Sequence, residues 1–160
     1  MGTPDFSTPC LEALVKAGHD VVGVVSQPDK PQGRGRKLVP TQVKQAAMRL
    51  GLPVFQPEKL RDGEFERILS SVDPELIVVV AYGKILPGFV LDYPKYGCIN
   101  VHASLLPKYR GAGPIQRAII DGEKVTGVTT MYMSEGLDEG DILLSRATEI
   151  APDETAGELF

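Results

Sequence analysis

Two side chains that could assist the reaction of a carbonyl group stand two residues apart in this sequence, Asn100 and His102. An apolar segment that begins at Cys98 precedes them and has the composition of a strand. Because side chains alternate between the two faces of a strand, both should point to one face. An amide donates to developing negative charge, and an imidazole moves a proton. The pair is a candidate for acyl chemistry, although an isolated Asn-x-His is more often a turn cap beside a half-buried histidine.

The segments around this pair alternate between helix and strand. Apolar spacing and end signals predict helices over residues 8–17, 41–50, 62–71 and 114–120. Apolar, β-branched runs predict strands over residues 21–26, 53–55, 76–80 and 98–101. Two longer segments, residues 125–134 and 142–150, are expected to pair as antiparallel strands at a sheet edge.

This alternation predicts an α/β fold, with a Rossmann-like, doubly wound, mostly parallel sheet and helices on both faces. Residues 76–80 are apolar without alternation, which is typical of a strand buried on both faces of a parallel sheet. Ligands of such sheets bind beyond the carboxyl ends of the strands. Asn100 and His102 fall at such an end, which is a second reason to treat them as functional.

Composition narrows the class of protein. The 160 residues suffice for one domain, and a net charge of −4 argues against a general nucleic-acid binder, so we expect no DNA partner. No apolar run is long enough to span a bilayer, and Cys10 and Cys98 give no disulfide framework. We expect a cytoplasmic protein without a membrane partner, and a monomer. Besides His102 the chain has only His19, and no cluster has the spacing of metal ligands, so no metal is predicted.

Basic residues are concentrated in one segment of this acidic chain. Lys30, Arg34, Arg36 and Lys37 lie within residues 27–40, whose prolines and glycines predict a long, mobile, exposed loop. The segment lacks the glycine patterns of dinucleotide and nucleoside-triphosphate sites. Such a patch suits selective docking of a polyanion, whereas the common alternative is a solvated loop without a partner.

Four stretches of the chain, in this order, carry a family resemblance: Gly-Thr-Pro-Asp-Phe at 2–6, the basic segment at 27–38, Asn100 through Gln116 with its Ser-Leu-Leu-Pro turn, and Leu-Asp-Glu-Gly-Asp at 137–141. With these motifs the whole chain resembles the folate-dependent formyltransferases. Members of that family have a strand before the Gly-Thr-Pro turn and a further C-terminal domain. We therefore expect residues 1–160 to be a partial catalytic domain.

The resemblance implies roles for individual residues. Asn100 and His102 would stabilise the oxyanion and relay a proton, and Asp138 would support the imidazole and manage a bound water. Backbone and side-chain groups would bind 10-formyltetrahydrofolate at Lys84, Ile85, Leu86, Ser104, Leu105, Leu106, Pro107 and Glu135. In the tRNA-specific members the basic loop engages the acceptor end of initiator methionyl-tRNA, which assigns Lys30, Arg34, Arg36 and Lys37 to tRNA binding.

The function that the resemblance implies is formyl transfer from 10-formyltetrahydrofolate to the α-amino group of methionyl-tRNA, in translation initiation. One alternative is a formyltransferase that acts on an amino sugar or a nucleotide. Another is a non-catalytic folate-binding or RNA-binding domain. The basic cluster favours tRNA over a small substrate, and the presence of Asn100, His102 and Asp138 favours catalysis over binding alone.

Overall fold

A computed structural model of the chain describes residues 1–32 and 37–160. These residues form two compact units, Met1–Gly97 and Cys98–Phe160. None of the helices in the described part of the chain has the length and apolar character needed to cross a bilayer.

The first unit contains most of the helices. After a 3₁₀ turn at Asp5–Ser7, its elements are α1 (Thr8–Lys16), β1 (Val24–Val25), β2 (Lys30–Gln32), β3 (Lys37–Val39), α2 (Gln42–Arg49), β4 (Val54–Phe55), α3 (Glu64–Val72), β5 (Ile77–Val79) and α4 (Gly88–Asp92). β1 and β4 are parallel neighbours. Helices α1 and α2 bury small and branched side chains with β1: Leu11, Val24, Val43, Ala46 and Ala47. The leucine and valine side chains each stabilise the fold by about 1.5–3 kcal/mol when fully buried.

The Gly-Thr-Pro turn is tied to two strands of this unit. The Gly2 N–H donates to the Val25 carbonyl at 2.9 Å, and the Val80 N–H donates to the Met1 carbonyl at 2.9 Å. A Cβ at Gly2 would lie 2.7 Å from Cβ of Ser7. Glycine therefore stands where the backbone approaches its neighbours too closely for any side chain.

The basic segment is more regular than its composition suggested. β2 and β3 form an antiparallel ribbon in which Lys30 pairs with Val39 and Gln32 with Lys37. The expectation of a loop was wrong for residues 30–32 and 37–39, which form strands, whereas residues 27–29 and 40 lie outside helices and strands, as expected. Pro31 lacks a ladder donor but is tolerated, because a two-stranded ribbon has free edges. Arg34 and Arg36 lie outside the described residues.

The second unit is an antiparallel sheet with two helices. Its elements are β6 (Cys98–His102), α5 (Pro114–Ile120), β7 (Val125–Tyr132), β8 (Ile142–Glu149) and α6 (Ala156–Leu159). β7 pairs with β6 on one side and with β8 on the other, antiparallel in both cases. The expected pairing of the last two strands is confirmed.

Most predicted elements occur close to their predicted bounds. α5 spans the predicted residues, and Thr41 caps α2 by accepting from the Lys44 N–H at 3.2 Å. Thr155 begins α6 through a reciprocal capping box with Glu158. The sequence did not predict α4, because five residues after Pro87 are too few to display a helical apolar period.

We expect Gly127→Ala to destabilise the second unit. A Cβ there would collide with the Arg146 carbonyl oxygen on β8 and lie 2.6 Å from Cδ2 of Leu105. The strands would have to separate, at a cost of about 1–3 kcal/mol in the free energy of unfolding, measured by denaturant titration. Gly157→Ala is the matched control, since its Cβ would lie 3.9 Å from Thr155 Oγ1. Equal stabilities of the two variants would contradict the steric argument.

Candidate active site

Strand β6 presents Asn100 and His102 together, as their spacing predicted. Pairing with β7 fixes both residues, since Asn100 lies opposite Met131 and His102 opposite Thr129. The Asn100 side chain is half-buried and that of His102 is buried. The hydrogen bonds between β6 and β7 leave little freedom to the backbone that carries these groups. The amide and the imidazole are therefore held in a defined orientation.

Asp138 joins the pair from the loop between β7 and β8. The Asn100 amide Nδ2 donates to Asp138 Oδ1 at 3.1 Å, and His102 Nδ1 lies 3.5 Å from Oδ2. The imidazole and carboxylate are only 8% and 11% exposed, so water screens their interaction weakly. Asp138 also has a left-handed backbone, with φ of 51°, which is uncommon outside glycine and typical of functional sites.

Two backbone groups that the sequence did not reveal complete the arrangement. The Gly111 N–H donates to Asp138 Oδ2 at 2.8 Å. His102 Nε2 lies 2.8 Å from the carbonyl oxygen of Tyr109. Because a carbonyl oxygen can only accept, Nε2 carries a proton and donates it there. The other ring nitrogen, Nδ1, faces Asp138 at 3.5 Å from Oδ2, which is longer than an ordinary hydrogen bond.

This geometry leaves two groups available to a reacting molecule. A side-chain amide has two N–H donors, and Asn100 uses one of them on Asp138. The second can donate to an oxyanion. The Nδ1 edge of His102 can exchange a proton while Asp138 balances its charge. An amide donor beside a charge-balanced imidazole matches what acyl transfer requires.

The predicted folate segment at residues 104–107 is a turn that several hydrogen bonds hold in place. Ser104 is fully buried, and its hydroxyl donates to the Lys108 carbonyl at 2.6 Å. Thr129 on β7 donates to the Ser104 carbonyl at 2.7 Å and accepts from the Leu106 N–H at 3.2 Å. The sequence analysis missed Thr129, although a threonine on the buried face of a strand needs such partners. Leu105 is half-buried and Pro107 exposed.

The other predicted folate residues lie apart from this turn in the sequence. In the first unit, Lys84 Nζ donates to the carbonyls of Pro57 and Glu58 at 3.0 and 2.7 Å. Ile85 is 88% exposed and Leu86 is buried. In the second unit, Glu135 is exposed on the loop that carries Asp138. The folate-binding role of all these residues stays a prediction.

A polar anchor holds the base of the basic ribbon in the first unit. Lys44 Nζ and Gln56 Nε2 both donate to the Asp29 carboxylate at 2.7 Å. The hydrogen bonds from Gln56 and Lys44 lower the pKa of Asp29. Their contribution to stability is therefore present above the ordinary aspartate pKa of about 3.9 and is lost as the pH falls through the lowered value. Lys30 and Lys37 are exposed on the ribbon.

The cysteines and acidic groups form no metal centre in the part of the chain that the structure describes. Over residues 1–32 and 37–160, no group of three or more His, Cys, Asp and Glu side chains could hold a metal ion. Cys10 and Cys98 form no disulfide.

Comparison with known proteins identifies the family. Residues 1–160 match the family described as Formyl transferase. The chain belongs to the formyl transferase family. A methionyl-tRNA formyltransferase of Pelotomaculum thermopropionicum is 62% identical over 157 residues, which cover 98% of this chain and 50% of that protein. One of Heliobacterium modesticaldum is 61% identical, covering 99% of this chain and 50% of that protein. The chain spans about half the length of the curated relatives it matches.

Solved structures of other formyl transferases share the fold. The phosphoribosylglycinamide formyltransferase of Bacillus halodurans has a TM-score of 0.78 at 25% identity, covering 99% of this chain and 82% of that one. That of Anaplasma phagocytophilum has a TM-score of 0.77 at 28% identity, covering 98% and 74%. The predicted α/β, Rossmann-like fold class is confirmed.

We expect Asp138→Asn to lower the rate of formyl transfer about 10²-fold or more, because an amide has one acceptor oxygen in place of two. Its NH₂ group would face either the Asn100 amide or the Gly111 N–H, both of which are donors. Steady-state kinetics would measure the loss in kcat. Asp141→Asn is the matched control, since Asp141 is exposed on the same loop. Similar losses in both variants would mean that the rate depends on loop charge and not on this contact.

Proposed function

We propose that the protein transfers a formyl group from 10-formyltetrahydrofolate to the α-amino group of methionyl-tRNA. The observation that carries the proposal is the cluster of Asn100, His102 and Asp138, whose contacts leave an amide donor and an imidazole edge for an acyl group. The names of relatives about 60% identical to this chain support methionyl-tRNA as the acceptor. With methionyl-tRNA as its acceptor, we propose that the protein acts in translation initiation in the cytoplasm.

The reaction is an acyl exchange between two amines. The amino nitrogen of methionyl-tRNA bonds to the formyl carbon, and the carbonyl electron pair moves to oxygen. The free N–H of Asn100 stabilises this oxyanion, which for one well-placed donor is worth about 10²–10³ in rate. When the oxyanion collapses, the bond from carbon to N10 of the folate breaks. A proton leaves the attacking amine and another reaches N10.

His102 and Asp138 manage this proton exchange in the proposed mechanism. Nε2 is committed to the Tyr109 carbonyl, so Nδ1 takes the proton from the amine or delivers one to N10. The Asp138 carboxylate, 3.5 Å from Nδ1, stabilises the imidazolium that forms in between. Acid–base assistance of this kind contributes about 10²–10⁴ in rate.

The folate would bind beside this cluster through backbone groups. The Thr129 hydroxyl forms two hydrogen bonds to the turn at residues 104–107. These bonds give the turn the rigidity that a pterin-binding surface needs. Lys84, Ile85, Leu86 and Glu135 are the further folate residues that we propose.

An assay of the full-length protein tests this function directly. With 10-formyltetrahydrofolate as donor, we expect formylation of charged initiator tRNA and none of amino sugars or aminated nucleotides. His102→Ala should lower its rate about 10²–10⁴-fold, because the imidazole edge is lost. Product would be measured as formylmethionine released from the tRNA. Activity on small amines alone would contradict the proposed acceptor, and folate binding without transfer to any amine would contradict catalysis.

The basic segment at residues 27–38 would bind the acceptor end of the tRNA through Lys30, Arg34, Arg36 and Lys37. We expect Arg34→Ala to raise KM for charged tRNA and to leave folate binding unchanged. The slope of log affinity against log salt should fall by roughly 0.7–0.9, as for the loss of one phosphate contact. Arg61→Ala, which removes an exposed arginine elsewhere in the same unit, is the control. An unchanged salt slope for Arg34→Ala would contradict the tRNA-binding role of this segment.

A further inference from the structure

Tyr109 supplies the carbonyl oxygen that accepts from His102, and its backbone conformation is unusual. With φ of 58°, it lies in the left-handed region that an aromatic residue seldom adopts. The direction of a carbonyl is set by the backbone angles of its own residue. The 2.8 Å contact with Nε2 therefore exists only while Tyr109 keeps this conformation.

The Tyr109 side chain is held by carboxylates that lie well apart in sequence from Asn100, His102 and Asp138. Its hydroxyl lies 2.9 Å from Asp121 Oδ2 and 2.9 Å from Glu123 Oε1, so its one proton can be donated to either carboxylate. Glu123 is fixed in turn by Lys108 Nζ at 2.7 Å. The Arg117 guanidinium lies over the phenol ring, 5.5 Å from its centroid.

The charges around this anchor favour a neutral phenol and an ionised glutamate. Desolvation raises the pKa of Tyr109, and its hydrogen bonds to Glu123 and Asp121 raise it further. Hydrogen bonds from Lys108 and then Tyr109 lower the pKa of Glu123. The phenol therefore stays a donor and Glu123 an acceptor over the neutral pH range, and the anchor persists where formyl transfer would run.

The same short segment also contacts Asp138, through the Gly111 N–H at 2.8 Å. Residues 109–111 thus present an acceptor to the imidazole and a donor to the carboxylate. A shift of this segment would release both contacts at once. His102 would then be free to place its proton on either nitrogen, and the nitrogen facing the reacting group would no longer be defined.

We propose that Tyr109 is a positioning residue, whose phenol, anchored on Asp121 and Glu123, holds its carbonyl against His102 Nε2 and so keeps Nδ1 directed at Asp138. The anchor acts on the proton position of His102 and makes no contact with a substrate. The proposal deepens the proposed function, on which its kinetic consequence rests. Its effect on the imidazole can be measured without any turnover.

Tyr109→Phe tests it, because the variant keeps the ring and removes the hydroxyl that donates to Asp121 or Glu123. In the full-length protein labelled with ¹⁵N-histidine, the His102 signals are assigned by their absence from His102→Gln. We expect the Nε2 proton to exchange with water at least about tenfold faster than in the wild type. We also expect kcat to fall about tenfold with KM for both substrates within about twofold, as for a small misplacement of a reacting group.

Tyr93→Phe is the matched control, since its hydroxyl donates to Asp73 Oδ1 at 3.1 Å in the first unit. It loses the same kind of contact and should change neither the His102 signal nor kcat. Wild-type exchange of the Nε2 proton in Tyr109→Phe would overturn the proposal. Equal effects of Tyr93→Phe and Tyr109→Phe would also overturn it, because the loss would then reflect general stability.

A second variant covers the case in which Tyr109→Phe does not fold. Glu123→Gln keeps the size of the side chain but weakens its bonds to Tyr109 and Lys108, so it should change the His102 signal in the same direction by a smaller amount. An unchanged signal would count against the anchor. If the wild type formylates no substrate, the proposed function fails, whereas the exchange measurement still decides whether Tyr109 positions His102.

Discussion

The carboxylate of Asp138 is the group on which the candidate site depends. At 11% exposure it has largely lost water, and an unmatched charge at such a position costs several kcal/mol. Its partners come from separate segments: the Asn100 amide on β6, the Gly111 N–H before α5, and the His102 imidazole. Satisfying one carboxylate therefore fixes a strand, a turn and a loop at the same time. The arrangement that stabilises the charge is also the arrangement that directs the amide and imidazole at an acyl group.

The backbone around this carboxylate is held in conformations that isolated peptides avoid. Tyr109 and Asp138 have left-handed φ values of 58° and 51°, each at a cost on the order of 1–3 kcal/mol. Both are offset locally. The donors around the carboxylate hold Asp138, and the contacts of the phenol with Asp121 and Glu123 hold Tyr109. Because polar contacts contribute to these offsets, polar substitutions at some distance can relax the site without unfolding the unit.

The sequence predicted what local rules determine, and it missed what depends on backbone direction. The two-residue period placed Asn100 and His102 on one face, and the antiparallel pairing of β7 with β8 followed from two long β-type runs. The motif resemblance brought Asp138 to the same cluster. Residue types do not predict which backbone carbonyl will accept a hydrogen bond from an imidazole. The contact of Tyr109 with His102 could therefore not be predicted from the sequence. The β2–β3 ribbon was not predicted because its strands are short and the prolines and glycines of this segment are typical of loops.

The two units contain different parts of the proposed function. Substitutions in the two parts should therefore respond differently to salt concentration. The cluster of Asn100, His102 and Asp138 is built entirely within Cys98–Phe160, from strand pairing and short polar contacts. The basic ribbon belongs to Met1–Gly97, where Asp29 ties its base to Lys44 and Gln56. Changes to the ribbon or its anchor act on charge presented to a polyanion, which depends on salt and appears in KM. Changes to the cluster act on groups with little access to water, so their effects appear in kcat and depend little on salt. The salt dependence of a variant's kinetics therefore reports whether the substitution has affected the ribbon or the cluster.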